Sequence, residues 1–122
     1  MKFTREPFSA TTIRHVERGR IRIGNEQFEQ TLAVTVETII RDWPAIDIDK
    51  LEIEHFAAIL ASEPDVVVLG TGWQTAFAPR ELIFAMARRG TGFEVMDTPA
   101  ACRTFNILLA EGRHPAAILI ID

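Results

Sequence analysis

The apolar pattern of this chain predicts an α/β fold, and three observations carry that prediction. Residues Val66 to Leu69 form a short unbroken apolar run that leads directly into Gly70-Thr71-Gly72, as a strand buried on both faces does. Apolar residues at helical spacing follow twice, and each set is succeeded by another strand-like run. Strand, helix, strand, helix, strand in that order builds helices against a sheet. Before Pro44 the period is two, which predicts a β-meander in front of the α/β layer.

The meander begins with a strand over Thr12 to Val16, a turn at Glu17-Arg18-Gly19, and a strand over Arg20 to Ile23. In the second strand Arg20 and Arg22 share one face, and Ile21 and Ile23 the other. Gly24-Asn25 supplies the next turn, since both residues tolerate positive φ. From Gln27 the alternation is long: Phe28, Leu32, Val34 and Val36 oppose Glu29, Thr31 and Thr35, with Gln30 intruding on the apolar face. A sheet of this pattern keeps one side wet. Ile39 to Trp43 ends it and Pro44 closes the segment. The meander either extends the α/β sheet or folds over one side of it.

Asp47 to Asp65 is the acidic part of the chain, and Asp47 to Glu54 reads as solvated surface. Ile53, Phe56, Ala57 and Leu60 fall at helical spacing, predicting a short helix over Ile53 to Ser62 that Pro64 stops. Val66 to Leu69 is then taken as the central strand. Pro79 fits the first position of a second helix, whose buried stripe is Leu82, Ile83, Met86 and Ala87. Arg88 and Arg89 suit its carboxyl end and Gly90 caps it. Phe93 to Met96 is a strand. Thr98 as N-cap and Pro99 as first residue open a third helix with Ala101, Phe105, Leu108 and Leu109 inward, ended by Gly112. Ala116 to Ile121 is the last strand.

The 122 residues are expected to form a single domain, residues 1–122, with 48% hydrophobic and 25% charged residues, an ordinary soluble composition. The net charge of −4 gives no general attraction to nucleic acid or anionic lipid. The longest apolar runs are too short to span a bilayer. Met1 to Pro7 lacks the apolar stretch of a signal peptide, and the single cysteine excludes an internal disulfide. These features predict a cytoplasmic protein with no integral membrane segment and no nucleic-acid partner.

Three places have the residue types for chemistry or binding. Gly70, Thr71 and Gly72 lie at a strand's carboxyl end, where α/β sheets bind ligands. They read either as a backbone cradle for an anion or small polar group, or as a tight turn. Neither the phosphate-loop Gly-Lys-Ser/Thr nor the third glycine of a dinucleotide fingerprint is present. The second place is the helix start Thr98-Pro99-Ala100-Ala101-Cys102-Arg103, whose free N–H groups attract anions. That field, with Arg103, would lower the pKa of Cys102; the alternative is a small buried packing residue. The third is Asn106, a poor helix former one turn beyond Cys102. It either points over Gly70–Gly72 or makes a structural hydrogen bond. Arg103 and Arg113 would bind an anion or pair with the abundant acids. Trp73 and Phe77 form an apolar lip or fill a gap between loop and helix. His15, His55 and His114 have neither metal-site spacing nor a dyad partner. No catalytic residue, metal or cofactor is assigned.

Gly70-Thr71-Gly72, the block from Met96 through Asp97-Thr98-Pro99-Ala100-Ala101-Cys102-Arg103-Thr104-Phe105-Asn106-Ile107 to Leu108, and Glu111-Gly112-Arg113 together carry a resemblance. The chain resembles the bacterial relatives of the mitochondrial complex I (NADH:ubiquinone oxidoreductase) assembly factor 3, a family that also includes a human adipogenesis-associated protein. The similarity runs from about Thr12 to Asp122. It implies a three-layer fold: a central mixed sheet, helices on one side, and the meander partly wrapping it. Phe105 stands where the family usually has Tyr, which removes one hydroxyl. The mitochondrial members are non-enzymatic assembly factors, so the resemblance implies a module that binds a protein partner, in respiratory or membrane-protein complex biogenesis. The alternative is a small-molecule or anion site, even an enzymatic one, in a cleft between Gly70–Gly72 and the helix starting at Thr98.

Overall fold

The computed structural model describes residues 10–122. The stretch from Met1 to Pro7, noted above for its lack of an apolar run, lies outside the described residues. Among the described residues, eight strands form two sheets. β1 (Ile13–Glu17), β2 (Arg20–Ile23) and β3 (Glu26–Phe28) make a three-stranded antiparallel meander. Its inner face is Ile13, Ile21, Ile23 and Phe28, while Arg14, His15, Arg22 and Gln27 stay exposed, the wet-sided pattern expected.

The five-stranded sheet runs β5-β4-β8-β6-β7, with β4 at Leu32–Val34, β5 at Ile39–Ile40, β6 at Val66–Gly70, β7 at Gly92–Met96 and β8 at Pro115–Leu119. β7, β6 and β8 are parallel, and β4 joins β8 antiparallel. The long alternation from Gln27 therefore breaks between the two sheets. β4 is buried on both faces, because Leu32 and Val34 enter one core and Ala33 the other. β6 is fully buried as expected, but the middle strand is β8. Its small Ala116 and Ala117 point to opposite faces and let both layers approach closely.

The α/β class and the mixed sheet hold. The helices do not all lie on one side. Val66 and Val68 of β6 pack under the meander and α3 (Thr98–Ala110), against Ala101, Cys102 and Phe105. Val67 and Leu69 pack against α1 (Ala57–Leu60) and α2 (Arg80–Arg89), through Ile59, Leu82 and Met86. One layer is thus α3 and the meander together, and the other is α1 and α2. An apolar run buried on both faces permits this split, and nothing in the spacing of the helices distinguishes it from a one-sided arrangement.

Local boundaries differ for identifiable reasons. The helix expected over Ile53 to Ser62 is a 3₁₀ turn, Ile53–Phe56, passing into the one-turn α1. Its buried set is Phe56, Ile59 and Leu60, with Ala57 outside. Pro79 caps α2 rather than opening it, and Gly90 ends it at φ 76°. In α2 only Leu82 and Met86 are buried; Ile83 and Ala87 face solvent. In α3 the N-cap is Asp97, whose Oδ1 accepts from the Ala100 N–H at 2.8 Å. Thr98 and Pro99 are therefore its first two residues, and Leu109 is only partly buried.

Candidate functional site

The two glycines of Gly70-Thr71-Gly72 serve different ends. Gly70 admits close approach: a Cβ there would lie 2.8 Å from Thr98 Oγ1 and 3.0 Å from Thr98 Cα. Gly72 supplies the turn, at φ 112°, and a Cβ there would lie 2.6 Å from Asp122 Oδ2. The loop is then tied down by its neighbours. The Gly72 N–H donates to Thr98 Oγ1 at 2.9 Å, and the Thr98 N–H donates to the Gly72 carbonyl at 2.7 Å. The Thr98 hydroxyl donates onward to the Ile120 carbonyl at 2.7 Å, and the Gly70 carbonyl accepts from the Ile120 N–H at 3.0 Å. Thr71 donates its N–H to Met96 at 2.8 Å, while its hydroxyl donates to the Gln74 carbonyl and accepts from the Ala76 N–H. The Trp73 N–H donates to the Asp122 carboxylate at 2.8 Å.

The two walls expected to flank a cleft are therefore in direct hydrogen-bond contact. Among the described residues, the pocket beside them against Trp73, Thr98, Ile121 and the β1–β2 turn holds about 10 Å³, room for at most one water. The carboxylate of Asp122 occupies the position an anion would take on the Trp73 N–H.

The other sequence-derived residues disperse from this point. Cys102 is 2% exposed within the core under the meander. Burial pushes its thiol up to about 12, against a smaller opposing effect of Arg103. That places it on the inert side of cysteine chemistry: of the two readings the sequence allowed, it is the small buried packing residue and not the thiol activated by a helix start. Arg103 is exposed and makes no hydrogen bond or ion pair among the described residues. Asn106 turns away from the loop toward β1. Its Oδ1 accepts from the Ile13 N–H at 2.9 Å and its Nδ2 donates to the Ile13 carbonyl at 2.8 Å. The side-chain amide thus behaves as a paired strand residue. It holds β1 where the β1–β2 register shifts, between Ile13 and His15. Arg113 lies 3.8 Å from Asp65, and His15 hydrogen-bonds Glu17 at 2.9 Å. Among the described residues no three His, Cys, Asp or Glu side chains gather as a metal site.

Beyond the loop the surface changes character. Phe77 is 94% exposed, Phe84 52%, Ile83 42% and Trp73 36%. Trp73 leans toward the β1–β2 turn, whereas Phe77 fills no gap at all. Sequence reasoning missed Ile83 and Phe84 as surface residues, because Ile83 fits the periodicity of the buried stripe; the signal was Phe84, an aromatic outside that stripe. Beside α2, the charged residues Asp49, Lys50, Glu52, Glu54, Glu81 and Arg88 line a groove of about 480 Å³ together with Leu51 and Leu82.

Residues 13–120 match the family described as "Protein of unknown function (DUF498/DUF598)". The chain belongs to this family. Among its relatives, a Bos taurus protein named NADH dehydrogenase (ubiquinone) 1 alpha subcomplex assembly factor 3 is 36% identical over 105 residues. The match spans 84% of this chain and 56% of the cattle protein, so the chain covers little more than half of that relative's length. A Francisella tularensis protein named 13 kDa major membrane protein is 28% identical over 104 residues, covering 84% of this chain and 85% of that one. A crystal structure of a Bordetella parapertussis protein superposes with a TM-score of 0.85 at 29% identity, over 94% of this chain and 98% of that one. Among the described residues no helix is long and apolar enough to cross a membrane.

Proposed function

We propose that this DUF498/DUF598 chain is a non-enzymatic protein-binding module of the assembly-factor type, working in the cytoplasm in the biogenesis of a respiratory or membrane-protein complex. The observation that carries the reading is the exposure of Phe77, 94% open to solvent beside a loop whose own polar groups are hydrogen-bonded within the chain. Aromatic side chains left open together are the anchors of protein interfaces. The relatives named as complex I assembly factors supply the direction, and the buried Cys102 supports a binding role over a nucleophilic one.

The test is a pull-down from the native cell with quantitative mass spectrometry, using the wild-type chain and the Phe77→Ser/Phe84→Ser double variant. Defined protein partners should be enriched by the wild type. The double variant should lose them by roughly thirtyfold, corresponding to about 2 kcal/mol for one aromatic anchor. Recovery of no partner, together with normal respiratory-complex levels in a deletion strain, sinks the proposal.

A further inference from the structure

We infer that the open edge of β7 takes up an extended segment of the partner protein as an added strand, a conclusion that rests on the protein-binding reading above. β7 is the last strand of the five-stranded sheet and lies parallel to β6. The Gly92 N–H donates to the Asp65 carbonyl at 3.1 Å, and the Met96 carbonyl accepts from the Thr71 N–H at 2.8 Å. Backbone groups alternate in direction along a strand, so Gly92, Glu94 and Met96 turn theirs toward β6. Phe93 and Val95 turn theirs outward, and no group among the described residues bonds to them. The other sheet edges are shorter or covered. β5 has two residues and β3 three, and the Asn106 amide occupies the Ile13 N–H and carbonyl of β1.

An apolar flank of α2 borders the same edge. α2 packs over β7 on one side and against the turn at 53–56 on the other. Glu81, Ala85 and Arg88 line the groove shared with that turn, and Leu82 and Met86 face the sheet. At a repeat of 3.6 residues, Ile83 and Ala87 then fall on the remaining flank, which overhangs the open edge. Both are exposed.

The backbone defines the occupant. The outward groups of Phe93 and Val95 stand about 6.6 Å apart, the spacing of another extended chain; a helix has already spent its own N–H and carbonyl groups. Side chains of an added strand alternate between faces. One set would lie beside Phe93 and Val95, which pack in the core under α2, and beneath Ile83 and Ala87, so it is apolar. The other would lie beside the exposed Glu94, where an acid is disfavoured. A second copy of this chain fits less well. The antiparallel register that pairs Phe93 with Val95 in both directions sets Glu94 directly opposite its own copy.

The experiment first places a photo-crosslinker by Ile83→p-benzoylphenylalanine in the full chain, irradiates the native cell, and sequences the crosslinked peptide. The expected adduct is a partner segment with apolar residues at alternate positions. That segment, made as a synthetic peptide, is then added to the wild-type chain while amide hydrogen exchange is followed by NMR. Exchange at Phe93 and Val95 should slow by about tenfold or more at saturation, because those N–H groups gain acceptors. Val95→Pro removes one outward N–H and should lower the crosslink yield by about tenfold, with circular dichroism confirming the fold. If that variant does not fold, an Ala87→Glu variant, altered only at an exposed position, decides, with the same loss expected. An adduct with lipid or with a second copy of this chain overturns the inference. So does no adduct, unchanged exchange at Phe93 and Val95, or an unchanged yield in the folded variants. Partners recovered by pull-down without a crosslink from position 83 would leave the binding role standing and remove only this site.

Discussion

At Gly70 the absence of a side chain has a measurable consequence. Thr98 Oγ1 lies 2.8 Å from where a Cβ would be, and the Thr98 Cα, at 3.0 Å, is backbone and cannot rotate aside. Gly70→Ala should therefore push α3 off β6 and lower stability by about 1–3 kcal/mol, the usual range for overpacking, read by urea unfolding. A variant as stable as wild type would mean that α3 seats more loosely than these distances require. Cys102 gives a second residue-scale prediction. With its thiol raised to about 12 by burial, it remains protonated at neutral pH. A disulfide reagent such as dithionitrobenzoate should label it far more slowly than free cysteine, and at the free rate only in denaturant. Fast labelling of the native chain would show that the core under the meander opens.

Between elements, side chains span joins that backbone pairing leaves open. Asn106 links α3 to β1, and Glu26 links β3 to the residue after β5 by accepting from Arg41 Nε at 2.8 Å. The Arg41 guanidinium also lies 5.8 Å from the centre of the Phe28 ring. The hydrogen bond from Arg41 holds the Glu26 carboxyl below its ordinary value of 4.5, against a smaller effect of desolvation. Its folded-state pKa lies below its unfolded one, so the stabilisation is full above the unfolded value and fades as pH falls through the folded value. Glu26→Gln should lower the urea midpoint at neutral pH, by an amount that shrinks as the pH falls through the lowered folded-state pKa of Glu26. A deficit that persisted in acid would assign the loss to packing rather than charge. These joins also mark where the sequence stops being legible. β6 and β8 could be read from their apolar runs, since burial on both faces needs no partner to be named. The break after Phe28 could not, because Leu32 and Val34 continue the same alternation into a different sheet. Thr98 was visible as a residue of a helix start, yet its bonds to Gly72 and Ile120 depend on three segments meeting. Asn106 was flagged by its poor helix propensity, but its partner Ile13 is 93 residues away.

For the whole molecule, the decisive feature is that one sheet serves two cores. β6 gives Val66 and Val68 to one face and Val67 and Leu69 to the other; β8 divides Ala117 and Leu119 from Ala116 and Ile118 in the same way. Neither core can be opened without uncovering strands the other needs, so the two should unfold together. Phe105, fully buried beneath the meander, and Phe56, fully buried between Trp43 and Phe93, probe the opposite faces. Phe105→Ala and Phe56→Ala should each cost about 3–5 kcal/mol, a large part of the roughly 5–15 kcal/mol a domain has. Trp43 belongs to the Phe56 side, and in a Trp73→Phe background its fluorescence reports that side alone. With Phe105→Ala the cavity lies across the sheet from Trp43. Even so, the fluorescence midpoint in urea should fall as far as that of far-ultraviolet circular dichroism, in a single transition. If Trp43 instead kept its wild-type midpoint while part of the dichroism was lost early, α3 and the meander would be a unit that melts by itself. The face bearing α2 would then remain folded, and partner capture through Phe84 should persist in that half-melted state.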